Sequence, residues 1–180
     1  GNLRDRDLDV VFSGDLLNQC ISSSFGLRGL GIPFLGQYGA CSTMAESLLV
    51  GGMLCDGGYA SPLLCTAGSH YATAERQYRF PLEYGCQRTP AAQWTVTGAG
   101  CCIIGNGECK VKISRATVGN IIDHGITDAN NMGAAMAPAA ADTIFQYFED
   151  TGAKPRDFDL ILTGDLGFVG SKCLPVYVVM

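Results

Sequence analysis

The sequence has few charged residues and no block of basic ones. Charged residues make up 16% of the 180, and the formal net charge is −5. Nucleic-acid surfaces need clustered Lys and Arg, so no nucleic-acid partner is expected. No stretch reaches the roughly 18 apolar residues of a membrane span. The polar start at residues 1–9 is unlike a signal peptide. We therefore predict that the chain has neither a membrane span nor a signal peptide.

Cysteine is frequent, but its spacing lacks the usual metal and redox patterns. None of the nine cysteines forms a C-x-x-C pair, which argues against a zinc ribbon or a thioredoxin-like motif. Most lie in apolar runs, as Cys65 does, where a free cysteine behaves as a small hydrophobe. This usage indicates a reduced, intracellular compartment, and we expect no bound metal or cofactor.

The apolar pattern indicates an α/β protein. Hydrophobic residues reach 47%, which is enough for a packed core. Strand-like and helix-like segments alternate, which predicts an α/β fold with mainly parallel sheets. Predicted helices lie at residues 19–30, at 44–54 and from Pro138, as a first helical residue, to about Gly152. Predicted strands lie at residues 33–38, 61–66, 95–104 and 110–118. The helix at 44–54 has one charge, Glu46, and is expected to be buried on all sides.

One segment of the sequence occurs twice. Residues Asp7–Leu16 return as Asp157–Leu166, an offset of 157 − 7 = 150 residues. Each copy is a short apolar run between Asp and Gly-Asp, which predicts a buried strand. So large an offset indicates a duplicated half-domain. We therefore place most of a first half at residues 1–108 and an incomplete second half at residues 109–180.

Several segments resemble a known family. Residues 31–43 resemble the segment around the nucleophilic cysteine of thiolases and ketoacyl synthases, and residues 14–19 resemble a loop of the same half-domain. The strings at 68–85, 93–100, 123–128 and 132–143 resemble the stage V sporulation protein AD family. The resemblance covers the chain except for residues 1–6 and 172–180. It implies a thiolase-like fold, layered α-β-α-β-α with duplicated half-domains, incomplete in this chain.

The resemblance also implies a function and a location. It implies binding of dipicolinic acid, free or as its calcium chelate, without catalysis. It implies work with membrane proteins of the same sporulation operon, which move that compound into developing spores and out at germination. The expected location is peripheral, at the spore inner membrane, and the complete protein is expected to be a homodimer.

Cys41 is the first candidate for a functional residue. It precedes a predicted helix, and the partial positive charge of a helix N-terminus lowers a thiol pKa. The unpaired backbone N–H groups of that terminus also bind anions or an oxyanion. The alternative is a small buried hydrophobe, which we favour for the other eight cysteines. The Gly-Ala-Cys-Ser-Thr context favours a pocket position for Cys41.

Five further residues are candidates for binding a flat dianion. A histidine after a strand would face the same crevice as Cys41, arginines would pair with carboxylates, and an aromatic ring would stack on the ligand. The residues predicted for these roles, with an asparagine lining the crevice, are His70, Arg76, Arg79, Trp94 and Asn18. The alternatives are a loop histidine satisfied by backbone, arginines that pair with Glu75 and Glu83 at the surface, and turn chemistry for the asparagine.

Two other functions compete with a binding role. One is a thiolase-like or ketoacyl-synthase-like acyltransferase with Cys41 as the nucleophile and His70 as the base. The other is an inert structural fragment that only packs against partners. The non-enzymatic reading is preferred because no second thiolase-like cysteine site follows in the second half.

Overall fold

The computed structural model describes residues 3–17, 19–72, 74–78, 93 and 95–179, with backbone alone for residues 176–179. Two compact units divide the chain: unit 1 contains residues 1–78 and 95–113, and unit 2 contains residues 79–94 and 114–180. These units are defined by compactness alone and do not test where one half-domain ends and the next begins. The predicted boundary at residues 108 and 109 therefore stays a prediction. The strands and longer helices are, in chain order, β1 (Val10–Asp15), α1 (Ile21–Leu27), β2 (Phe34–Gly36), α2 (Thr43–Asp56), β3 (Leu63–Ser69), β4 (Gly98–Ile104), α3 (Met132–Thr151) and α4 (Gly167–Val179).

Unit 1 is built on a four-stranded sheet in the order β2-β1-β3-β4. Strand β1 pairs in parallel with β2 on one side and with β3 on the other. Strand β4 runs antiparallel to β3 at the edge. Helices connect the parallel strands, as right-handed crossovers between such strands require. The predicted α/β class with a mainly parallel sheet is therefore confirmed.

The core of unit 1 lies where β1 and β3 meet the helix that connects β2 to β3. Its buried members are Val10, Phe12, Cys55, Leu63 and Cys65. Phe12 and Cys65 are register partners on adjacent strands, so one packed layer joins the two central strands. Burial raises the pKa of Cys65 to about 12. The thiol is therefore neutral and fills space as a small apolar group, as predicted.

Helix α2 packs closely on the sheet through one face. Its buried residues recur every four positions: Thr43, Ser47, Gly51 and Cys55. A Cβ on Gly51 would lie 2.8 Å from a Leu63 methyl group, so the helix comes near the sheet only because this residue has no side chain. Met53, on another face, is exposed. The prediction of burial on all sides was wrong, because the contacts described for α2 cover one face.

Unit 2 contains two helices, α3 and α4, that cross at glycines. A Cβ on Gly133 would overlap the Leu166 carbonyl oxygen, and one on Gly170 would overlap the Gly133 carbonyl oxygen. Helix α3 ends at Thr151, and Gly152 follows with a left-handed φ of 67°, as predicted. The helix begins at Met132, so Pro138 lies inside it and does not open it. Close packing at Gly133 stabilises the helical turns before Pro138. Local helix propensity alone would not favour a helix there, because proline disfavours the helix interior.

Two predicted strands are absent from the described residues. Residues 110–118 form no strand, and neither does the second copy of the repeat at 158–166. Among the described residues, no strand forms ladder hydrogen bonds with either segment. Among the described residues, no helix is both long enough and apolar enough to cross a membrane.

Candidate functional site

Cys41 lies in a tight turn that leads directly into α2. The Gly39 carbonyl accepts hydrogen bonds from the backbone N–H and the hydroxyl of Ser42, each at 2.9 Å. This closes a 3-10 turn at Ala40–Ser42, and α2 continues from Thr43. The turn places the exposed Cys41 directly before α2, a 14-residue helix. The predicted helix start after a strand is confirmed.

The residue before Cys41 has an unfavourable backbone conformation. Ala40 has a φ of +50°, in the left-handed region that side chains with a Cβ rarely adopt. Such a conformation costs about 1–3 kcal/mol and persists only where surrounding structure imposes it. Strain of this kind is concentrated at binding and catalytic sites, which supports a functional role for the turn.

The Cys41 thiol is not activated as the sequence predicted. Protein atoms around the sulfur desolvate it, which raises its pKa above the ordinary value, although a backbone hydrogen bond acts the other way. The predicted lowering of this pKa by the helix N-terminus is therefore wrong in direction, because desolvation outweighs the backbone donors. Near neutral pH the group is a neutral thiol.

Buried polar atoms accompany this turn on α2. The hydroxyls of Thr43 and Ser47, and one carboxylate oxygen of Glu46, find no hydrogen-bond partner among the described residues. The Glu46 carboxylate lies over Gly39, where a Cβ would be 2.5 Å from its oxygen. A carboxylate in the first turn of a helix is stabilised by the N-terminal N–H groups.

Tyr78 is a neighbour of Cys41 that the sequence analysis did not assign. Burial raises the pKa of the Tyr78 phenol, and ionisation of the Cys41 thiol would raise it further, so the two groups lie within electrostatic range of each other. The hydroxyl donates a hydrogen bond to the Leu16 carbonyl at 3.0 Å. Its place near Cys41 could not be predicted locally, because the two residues are 37 positions apart in the sequence (78 − 41).

His70 and Arg76 lie after the carboxyl end of β3. The His70 carbonyl accepts hydrogen bonds from the N–H groups of Ala74 and Glu75, which shape the turn into the 3-10 helix Glu75–Tyr78. Both the His70 and the Arg76 residues are exposed. The predicted position of His70 beyond a strand end is confirmed, whereas a role of either residue in binding stays a prediction. The other three predicted residues, Asn18, Arg79 and Trp94, lie outside the described residues.

Glu75 is buried, although one prediction from the sequence placed it at the surface. It is 1% exposed and accepts a hydrogen bond from the Ser69 hydroxyl at 3.0 Å. A buried carboxylate is retained only where polar groups compensate its desolvation. Glu75 therefore fixes the turn after β3 from a buried position.

The aspartates at the ends of the two repeat copies have structural roles. Asp15 accepts hydrogen bonds from the N–H groups of Ser22 and Ser23, at the start of α1. Asp165 accepts one from the Gly167 N–H at 2.8 Å, at the start of α4. Both carboxylates therefore stabilise the start of the helix that follows.

The fold is similar to that of a class of solved enzymes. The crystal structure of 3-oxoacyl-[acyl-carrier-protein] synthase III from Aquifex aeolicus VF5 matches with a TM-score of 0.65 and 14% sequence identity. The match covers 99% of this chain and 61% of that one. At this identity the likeness establishes the fold alone: the chain has a thiolase-like fold, as predicted.

Sequence comparison then identifies the family. The model of the family described as stage V sporulation protein AD (SpoVAD) matches residues 1–178. The chain is 51% identical over 170 residues to stage V sporulation protein AD of Bacillus subtilis (strain 168). The chain belongs to the stage V sporulation protein AD family. The match includes residues 1–6 and 172–178, so leaving these segments outside the resemblance was wrong. The alignment covers 94% of this chain and 50% of the relative, so the chain spans about half of that protein's length.

Proposed function

We propose that this chain contributes to a non-catalytic binding site for dipicolinic acid, pyridine-2,6-dicarboxylate, in a sporulation protein. One observation carries the proposal: Cys41 follows the strained Ala40 in the turn that leads into α2, yet its thiol has a raised pKa. A nucleophile requires a lowered pKa or an adjacent base. A neutral thiol at a helix N-terminus is better suited to lining an anion site.

The ligand presents a flat ring and two carboxylates, and each needs a different partner. The backbone N–H groups at the start of α2 would receive one carboxylate. Arg76 and Arg79 are the candidates for bidentate pairing with the other. His70, Asn18 and Trp94 complete the predicted set around the crevice. These assignments rest on chain position and side-chain chemistry.

The calcium chelate is expected to bind more tightly than the free dianion. The Glu46 carboxylate lies over the same turn as Cys41 and disfavours further negative charge there. In the chelate, the metal offsets the charge of the ligand before it reaches the site. Calcium is therefore part of the cargo in this proposal and not a resident cofactor.

The cellular setting follows from the family. We expect the complete protein to act in the developing spore, peripheral to the inner membrane, with membrane proteins of its own operon. Their shared task would be uptake of dipicolinic acid and its release at germination. A homodimer is expected for the complete protein.

An acyltransferase with Cys41 as nucleophile is the second candidate. The left-handed Ala40 before Cys41 favours it, since strain at a nucleophile is common in catalytic turns. The raised pKa of the Cys41 thiol opposes it, because the thiolate is the reactive form.

Calorimetric titration of the folded chain with dipicolinic acid, with and without calcium, tests the binding proposal. We expect saturable binding that Arg79→Ala weakens about tenfold or more, since a hydrogen bond to a charged group contributes about 1.5–3 kcal/mol. Arg156→Ala, which removes an exposed arginine of unit 2, is the matched control and should bind normally. No binding by a chain that still unfolds cooperatively would reject the proposal.

Labelling of Cys41 separates the two candidates. Peptide mass spectrometry after iodoacetamide treatment at a series of pH values gives the pKa of this thiol. Because its pKa is raised, the rate should reach half its maximum at a pH above the value of 9.0 for an unperturbed thiol. Dipicolinic acid should protect Cys41 from the reagent. Transfer of an acyl group from a thioester to Cys41, abolished in Cys41→Ser, would instead favour the acyltransferase.

A further inference from the structure

We infer that Tyr78 is the residue that recognises the aromatic ring of the ligand and so sets the preference for an aromatic over an open-chain dicarboxylate. The inference rests on the proposed function, because it names the side chain that would contact the ring in that site. The geometry of the turn after β3 and the position of Tyr78 at the carboxyl ends of β1 and β3 support it.

The backbone holds Tyr78 in a defined position. It ends the 3-10 helix Glu75–Tyr78, whose start is fixed by the two hydrogen bonds to the His70 carbonyl, at 2.9 and 3.3 Å. The buried Glu75 side chain adds a bond from Ser69, the last residue of β3. A turn anchored at backbone and side chain presents its last residue with little conformational freedom, which lowers the entropic cost of binding.

The Tyr78 hydroxyl ties together the carboxyl ends of two neighbouring strands. It donates to the Leu16 carbonyl, directly after β1, and the Leu16 N–H donates to the Gly68 carbonyl in β3, both at 3.0 Å. Ligands of parallel α/β sheets bind beyond these carboxyl ends. Tyr78 is therefore placed at the edge of the sheet where a ligand is expected.

The Tyr78 ring offers the ligand an uncharged aromatic surface. Its residue is half-buried, and its hydroxyl is already engaged with Leu16. The raised pKa keeps the phenol protonated, so it does not repel a dianion. Offset stacking on a pyridine ring suits a neutral aromatic face at this edge of the sheet. Backbone N–H groups can bind the carboxylates of any dicarboxylate, whatever joins them. Only a contact with the ring distinguishes an aromatic dicarboxylate from an open-chain one.

Two dianions test this inference: pyridine-2,6-dicarboxylate and glutarate, whose carboxylates are likewise separated by three linking atoms but without a ring. We expect the unmodified chain to prefer the aromatic compound in calorimetric titration. Tyr78→Leu should weaken binding of the aromatic dianion by roughly 3- to 10-fold and leave glutarate binding unchanged. Tyr78→Phe keeps the ring and should keep the preference. Tyr59→Leu, which removes an exposed tyrosine at the end of α2, should change neither affinity.

The outcomes separate failure of the inference from failure of the proposed function. If the unmodified chain binds neither compound, both are overturned. If it binds pyridine-2,6-dicarboxylate and Tyr78→Leu retains the preference, the inference alone is overturned. It is also overturned if Tyr78→Leu weakens both dianions equally, since Tyr78 would then only hold the loop. Should Tyr78→Leu fail to fold, Tyr78→Phe decides: loss of the preference would assign it to the hydroxyl and overturn recognition by the ring.

Discussion

The two copies of the internal repeat have nearly the same pattern and opposite environments. In the first copy Val11 and Phe12 are each 1% exposed, inside β1. Their counterparts in the second copy, Ile161 and Leu162, are 44% and 81% exposed, in backbone that forms no strand. An apolar run bounded by Asp and Gly-Asp therefore does not by itself determine a buried strand.

The difference arises from neighbours that lie far away in the sequence. Strand β1 has a parallel partner on each side, supplied by residues 34–36 and 63–68. No such partner flanks the second copy in the part of the chain that the structure describes. A strand gains stability only from ladder hydrogen bonds and cross-strand side-chain contacts, so the same local pattern yields two outcomes.

What the copies share is local. Asp7 accepts a hydrogen bond from the Arg4 N–H at 2.9 Å, and Asp157 accepts one from the Lys154 N–H at 2.8 Å. Both close a one-turn 3-10 helix directly before the apolar run. These bonds join residues three apart, so each copy forms its turn whatever surrounds the strand that follows.

Truncation of one apolar side chain in each copy gives the largest expected contrast. Phe12→Ala should lower the free energy of unfolding by about 3–5 kcal/mol, because it leaves a cavity between β1 and α2. Leu162→Ala should change it by less than about 0.5 kcal/mol, since that side chain is exposed. Urea denaturation followed by circular dichroism measures both. Equal losses would mean that the second copy is packed as tightly as the first.

The paired glycines sharpen the comparison at the end of each apolar run. A Cβ on Gly14 would overlap the Gln37 carbonyl oxygen, whereas one on Gly164 would make an ordinary contact of 3.6 Å with Met136. Gly14→Ala should therefore destabilise by about 1–3 kcal/mol through overpacking. Gly164→Ala should be neutral or stabilise by up to about 1 kcal/mol, since alanine restricts the unfolded chain. Thermal and urea unfolding test both, and a stable Gly14→Ala variant would contradict the close approach.

The shared turns should give the smallest effect, and the same one in both copies. Asp7→Ala and Asp157→Ala each remove one side-chain acceptor from an exposed 3-10 turn, which should cost about 0.5 kcal/mol. Asn substitutions at the same positions keep an acceptor and serve as controls. Hydrogen exchange of the Arg4 and Lys154 amides reports the lost bonds directly. A large loss in one copy alone would show that its turn depends on tertiary contacts.

Much of the fold was predictable, because it depends on patterns within a few residues. The sequence located β1, β2, β3 and α2 to within a few positions, and it placed Cys41 at the start of a helix. It failed for residues 110–118 and for the second copy, where strand formation needs partners from elsewhere. It also placed the start of α3 too late, at Pro138. The helix begins at Met132, where Gly133 packs closely against Leu166.

For the candidate site, residue types were predictable and their chemistry was not. Cys41 and His70 lie beyond strand ends, as the parallel sheet requires. The raised pKa of the Cys41 thiol and the place of Tyr78 beside it were missed. Both depend on protein atoms from separate segments, which desolvate the sulfur and bring the phenol to it.

The sequence by itself determined the family, the α/β alternation and the cysteine at the head of α2. These features follow from side-chain periodicity and hydrogen bonds between residues a few positions apart. Only the tertiary structure decided which copy of the repeat is buried, whether Cys41 is activated, and which aromatic ring stands next to it. Burial and desolvation are properties of the atoms that surround a group, and residues distant in the sequence supply most of those atoms.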